Sequence, residues 1–166
     1  MIALTGFMGA GKSTLAKMLG QKLGKPVYEV DQIVYQITGL KNMQQVFDKG
    51  GEKYLRISEL AALEVIAAKA DGIIDCGAGL ITYELSKNKL VEIAKQIIYL
   101  DIDFDLARVR VGDDTNRPLF TQAEEARKRY DMRRPIYQSI ATYVIPVTSQ
   151  SVEDLCLEVM DVIDEE

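Results

Sequence analysis

Apolar runs of strand length alternate with helix patterns along this 166-residue chain. That alternation predicts a three-layer α/β/α fold on a five-stranded parallel sheet. Two further observations sharpen the expectation. A short apolar run, Ile2-Ala3-Leu4, leads directly into Gly6-Phe7-Met8-Gly9-Ala10-Gly11-Lys12-Ser13. That is G-x-x-x-x-G-K-[ST], a phosphate-binding P-loop. A helix pattern follows at once, with Leu15, Met18, Leu19 and Leu23 on one face and Gly24 and Pro26 as its stop. Strand, loop and helix in that order are the context that separates a working P-loop from a glycine-rich turn with no ligand.

Each residue type in the loop has a task. The glycines let backbone N–H groups turn onto a polyphosphate, and the positive end of the helix beginning near Lys12 faces the same anion. Gly9, Ala10, Gly11, Lys12, Ser13 and Thr14 are therefore the expected nucleotide-phosphate site. Lys12 reaches the β- and γ-phosphates, and the Ser13 hydroxyl ligates Mg²⁺.

The composition bounds the rest. One domain covering 1–166 fits the length. A formal net charge of −5 with no His argues against a nucleic-acid partner and excludes His-based triads and His-ligated zinc. No apolar run has transmembrane length. Without a leader ahead of the first strand, and with Cys76 and Cys156 both in apolar runs, a reducing cytoplasm is the expected compartment.

Val27-Tyr28-Glu29-Val30-Asp31 reads as the second strand, which would put Glu29 and Asp31 on one face at its C-terminal end. Ligands bind at that edge of an open α/β sheet. One acid suits Mg²⁺ held through water and the other suits the attacking hydroxyl; an acidic turn without function is the alternative. Residues 31–49 look like short helical pieces, and a longer helix follows Gly50-Gly51 to about Lys69. Arg56 falls on that helix's apolar stripe with Leu60 and Leu63, three residues before Glu59. The plainer reading of Arg56 and Glu59 is a surface ion pair.

Gly72-Ile73-Ile74-Asp75-Cys76 is a third strand, apolar enough to be central, ending in Gly77-Ala78-Gly79. Asp75 sits where a Mg²⁺-organising Walker B acid would, again with a water between it and the ion. Residues 96–101 form the fourth strand, and a helix follows over 105–110. The polar stretch 111–121 then carries Arg117 between two helices, which suits a lid that closes over a nucleotide. Arg133 lies on the apolar stripe of the next helix with Ala123, Ala126, Tyr130 and Tyr137, whereas Arg134 lies off it. Residues 143–147 are the fifth strand. Ser151, with Asp154 three residues on, caps a last helix whose inner face is Val152, Leu155, Val159 and Val162.

Together these parts resemble the shikimate kinases over nearly the whole chain. The P-loop alone is common to many enzymes; the acidic pair, the two arginines and Arg117-Pro118-Leu119 are more specific. The resemblance implies a nucleoside-monophosphate-kinase-like P-loop fold that uses ATP and Mg²⁺ to phosphorylate shikimate, with substrate-binding helices over about 31–69; with no spare apolar stripe in the sequence, a monomer is expected. It implies Asp31 as the acid at the substrate hydroxyl and Glu29 as the Mg²⁺-associated acid. Arg56 and Arg133 would hold the substrate carboxylate, with Glu59 beside them and Phe47 walling the pocket. Gly77-Ala78-Gly79 takes the place of a glycine triplet, Arg110 that of the residue packing on adenine, and Arg117 that of the lid arginine. In the empty enzyme the two arginines are expected to be mobile or screened by water and buffer anions. Glu29 is longer than the Asp usual there, Ala78 replaces a middle glycine, and Asp75 stands where a small residue is expected. These departures leave open a related kinase of a gluconate-like hydroxy acid, or an ATP-binding regulator without activity. A nucleoside monophosphate kinase, which needs a base-and-phosphate site, fits less well.

Overall fold

A computed structural model describes residues 1–112 and 123–164. Five parallel strands form one sheet in the order β2-β3-β1-β4-β5: β1 Ile2–Gly6, β2 Val27–Glu29, β3 Ile73–Asp75, β4 Gln96–Ile102 and β5 Tyr143–Val147. The helices are α1 Lys12–Leu23, α2 Val30–Thr38, α3 Met43–Ala67, α4 Glu84–Ile93, α5 Phe104–Val111, α6 Ala123–Ile140 and α7 Val152–Asp164, with a 3₁₀ turn at Leu80–Thr82. This is the predicted three-layer arrangement. None of the described helices is long and apolar enough to cross a membrane.

The central strands are apolar on both faces because both are covered. Alternate residues feed two separate cores. Ile2 and Leu4 of β1, with Ile98, Leu100 and Ile102 of β4, pack with Leu15 and Leu19 of α1 and Leu155 and Val159 of α7. Ala3, Ile97 and Tyr99 face the other way, onto Val30 and Val34 of α2, Leu63 and Ile66 of α3 and Leu90 of α4. Helix α6 serves both sides, giving Ala126 and Tyr130 to the first core and Tyr137 to the second. Arg133 sits between those contributions, so it is carried to the sheet's edge. Both thiols, Cys76 and Cys156, are free and buried.

Helix starts follow their caps. Asn42 accepts from the Gln45 N–H, Asp103 from Asp105 and Ser151 from Asp154. Gly50 and Gly51 leave helical geometry inside α3, so the expected break there is a kink between two helical segments.

One expected boundary is corrected. The second strand stops at Glu29, and helix α2 begins at Val30. Val30 and Val34 are both fully buried, four residues apart on one helical face. The helical period therefore takes over one residue before Asp31, and Glu29 and Asp31 do not share a strand face.

Candidate active site

The P-loop joins β1 to α1 with Gly11 as the residue before the helix, at φ 88°. A Cβ there would meet nothing within 4 Å, so it is the backbone conformation that calls for glycine. Gly9 is fixed by packing as well: a Cβ would lie 2.9 Å from the Ala107 carbonyl oxygen of α5. Lys12 is half-buried and lies back along the loop, its Nζ donating to the Gly6 carbonyl at 2.8 Å and to that of Phe7 at 3.1 Å. Arg110 of α5 donates to the carbonyls of Gly9 (3.4 Å) and Thr148 (2.7 Å). Gly9, Gly11, Lys12, Ser13, Thr14, Arg110 and Val111 line a cleft of about 270 Å³. A second hollow of about 180 Å³ shares Gly11, Thr14 and Arg110 and extends to Val147, Gln150 and Val152. Sequence reasoning missed this β5–α7 corner; its signal was a capped helix start directly after a strand, at the ligand-binding edge of the sheet.

Beside the loop, Asp75 stands at the end of β3. Burial pushes its carboxyl up, against the pull of the Ser13 hydroxyl and of Lys12. Glu29 is the register neighbour of Asp75 on β2 and pairs with Lys17 at 3.2 Å. Ser13, Asp75 and Glu29 are an all-oxygen donor set, which suits a hard cation. Among the described residues, no three His, Cys, Asp or Glu side chains form a complete metal cage. A Mg²⁺ ion carried largely by phosphate oxygens and water does not need one.

Asp31 goes elsewhere. A Cβ placed on Gly77 would meet Asp31 Oδ1 at 3.1 Å and Glu59 Oε1 at 3.2 Å, so both carboxylates lie against this bare stretch of backbone. On Gly79 a Cβ would fall 2.3 Å from Arg56 Nη2, 2.5 Å from Nη1 and 2.7 Å from Cζ, so the Nη end of the guanidinium lies against that glycine. Ala78 has no positive φ, and its methyl brings no backbone strain. Its carbonyl accepts from Tyr137 Oη and, at 3.3 Å, from Arg133 Nη1. Tyr137 in turn stacks on Tyr99, ring centroids 5.1 Å apart.

Arg56, Glu59 and Arg133 are 7%, 3% and 5% exposed, which corrects the surface reading of the Arg56–Glu59 pair. Their helix stripes are buried against the turn after β3, and the charges go in with them. Nor is Arg56 left to water: Nη1 bonds Glu59 Oε2 at 2.8 Å and Nη2 bonds Glu52 Oε1 at 3.0 Å. Sequence reasoning did not single out Glu52, although its spacing of four from Arg56 was a signal. The Nε atoms of Arg56 and Arg133 are buried with no acceptor among the described residues. Burial lowers the Arg133 pKa, and the like charge of Arg56 adds to the effect against Tyr137. For Arg56 burial pulls the same way, but Glu59 and Glu52 outweigh it and the pKa is raised. Phe47, on the first segment of α3, is 41% exposed. Arg117 and the expected lid beyond Gly112 lie outside the described residues.

Burial also pushes the Glu59 carboxyl up, to about 7 from 4.5, with Arg56 opposing and Asp31 assisting. The folded state therefore holds this proton more tightly than the unfolded chain. Glu59's share of stability is full below about pH 4.5 and declines as the pH rises towards 7. Glu59→Gln is locked neutral, so the difference in unfolding free energy between wild type and variant should shift in the variant's favour across that window. Urea denaturation at a series of pH values checks this; a wild type that gains on the variant as the pH rises would show Glu59 ionised throughout.

The comparisons with known proteins agree with this geometry. The shikimate kinase family model matches residues 8–164. A shikimate kinase of Dehalococcoides mccartyi is 35% identical over 164 residues, covering 96% of this chain and 91% of the relative. The structure of shikimate kinase from Acinetobacter baumannii in complex with shikimate superposes with a TM-score of 0.92 at 28% identity, covering 99% of this chain and 92% of that one. Shikimate kinase from Aquifex aeolicus superposes with a TM-score of 0.85 at 30% identity, covering 98% and 95%. A complete P-loop, the family match and these relatives along almost the full length make the chain a member of the shikimate kinase family and an ATP-dependent kinase.

Proposed function

We infer that the protein transfers the γ-phosphoryl group of ATP to the 3-hydroxyl of shikimate, a step of aromatic amino acid biosynthesis. One observation carries the reading beyond the family. Two buried guanidiniums, each with an Nε unsatisfied among the described residues, flank the turn after β3 next to Asp31. Buried polar groups ordinarily have partners, and a planar carboxylate suits a guanidinium's paired N–H donors. The substrate's acid group would face Arg56 and Arg133, and its hydroxyls Asp31 and Glu59.

In this reading Lys12 leaves the Gly6 and Phe7 carbonyls for the phosphates, and Arg117 brings a second positive charge from the lid. The triphosphate fills the cleft over Gly9–Thr14, and the base lies by Arg110 and the β5–α7 corner. Phosphoryl transfer has a loose transition state, so positioning and charge neutralisation dominate. Asp31 orients the hydroxyl and accepts its proton late. Ser13, with Glu29 and Asp75 through water, would hold Mg²⁺, which supplies charge neutralisation at the phosphates. Phe47 would complete the pocket wall. The buried reduced thiols fit a cytoplasmic enzyme, and a monomer of one domain satisfies the site.

ADP release measured with Mg-ATP and shikimate, gluconate and nucleoside monophosphates in turn tests the substrate. Release with shikimate alone is expected; release with gluconate and none with shikimate would overturn the assignment. Asp31→Asn should leave ATP affinity nearly normal and lower kcat by about 10²–10⁴-fold. Glu29→Gln should be milder and should raise the Mg²⁺ concentration needed. If Glu29 proves the more sensitive, the two roles are exchanged. Gly79→Ala should lower the melting temperature, because the new methyl has to push the buried end of Arg56 off its pairs with Glu59 and Glu52. It should weaken shikimate binding by about 10-fold or more through loss of charge-assisted hydrogen bonds. Calorimetric titration reads that effect, and undiminished affinity would mean Arg56 does not grip the substrate.

A further inference from the structure

Arg56 has two acidic partners of different kinds. Glu59 is 3% exposed and holds Nη1, whereas the side chain of Glu52 is 64% exposed and holds Nη2. Glu52 is also the first residue after the Gly50–Gly51 break, at the start of the second segment of α3. Its charge reaches Arg133 as well, where it opposes the burial and the repulsion from Arg56. A single exposed carboxylate thus bonds one buried arginine and is felt by the other, as an anion shared between the two would be.

We propose that Glu52 is an internal competitor for the substrate carboxylate: it occupies Arg56 in the empty enzyme and must let go when substrate binds. The proposal rests on the substrate reading above. Glu52 is not needed to hold Arg56 in place, since Glu59 bonds the same guanidinium and its Nη end is packed against Gly79. Release is also inexpensive. The side chain already faces water, and a free carboxylate at the start of a helical segment is favoured by the partial positive charge there. Binding therefore exchanges one charge-assisted contact for another, and the measured affinity is a difference between them.

The test is calorimetric titration of shikimate into the nucleotide-free wild type, Glu52→Gln and Glu52→Ala. An ion pair with one exposed member competes modestly, so both variants should bind shikimate about two- to six-fold more tightly, with ATP affinity unchanged. Glu64→Gln removes the same charge elsewhere on α3, from a surface pair with Lys89, and should leave shikimate affinity as it is. Unchanged or weaker binding in the Glu52 variants overturns the proposal, as does equal tightening in Glu64→Gln. If the substrate panel selects another carboxylate, the substrate reading fails by itself. That acid then replaces shikimate in the same titrations, and the same outcomes decide for or against Glu52.

Discussion

Burying two like charges side by side is the constraint on which the acceptor half of this molecule depends. Arg56 and Arg133 come from helices far apart in sequence, and both side chains are more than nine-tenths buried. An isolated buried charge is strongly unfavourable unless it is paired and hydrogen-bonded. The surroundings meet that demand unevenly. Arg56 receives two carboxylates and a bare glycine face, whereas Arg133 receives one backbone carbonyl that it shares with Tyr137. The imbalance leaves Arg133, unlike Arg56, with no carboxylate bonded to it among the described residues, and each guanidinium keeps a buried Nε without a partner there.

The same constraint explains the turn after β3. Gly79 has no room for a methyl because a guanidinium lies on it, and Gly77 has little because two carboxylates crowd it. Ala78 contributes its carbonyl, which any residue possesses, and its backbone is ordinary. A methyl is therefore tolerated at the middle position and not at Gly79. The nucleotide half is organised on another principle, with backbone conformation and a helix end aimed at a polyanion.

Much of this was legible in the residues. The order Ile2-Ala3-Leu4, glycine loop, Lys12-Ser13 identifies a phosphate site because its chemistry is local and contiguous. Arg56 and Arg133 stood out because a charge interrupting an apolar stripe is visible as a broken period. What the residues hid was non-local or balanced between two periods. Val30 fits both a strand and a helix pattern, and only its burial with Val34 shows which one prevails. The depth at which Arg56 and Glu59 lie, and the reach of Glu52, depend on how α3 packs beside the turn. The hollow at Gln150 depends on β5 lying at the sheet's edge, which no stretch of sequence records.

Helix α6 binds the two faces of the sheet into one folding unit. Its first half is anchored in one core through Tyr130, whose hydroxyl also bonds the Ile102 carbonyl, and its second half in the other through Tyr137. Peeling α6 away would open both cores at once, so the release of this one helix is coupled to both layers. Whatever steadies Arg133 would steady a helix that both faces of the sheet share.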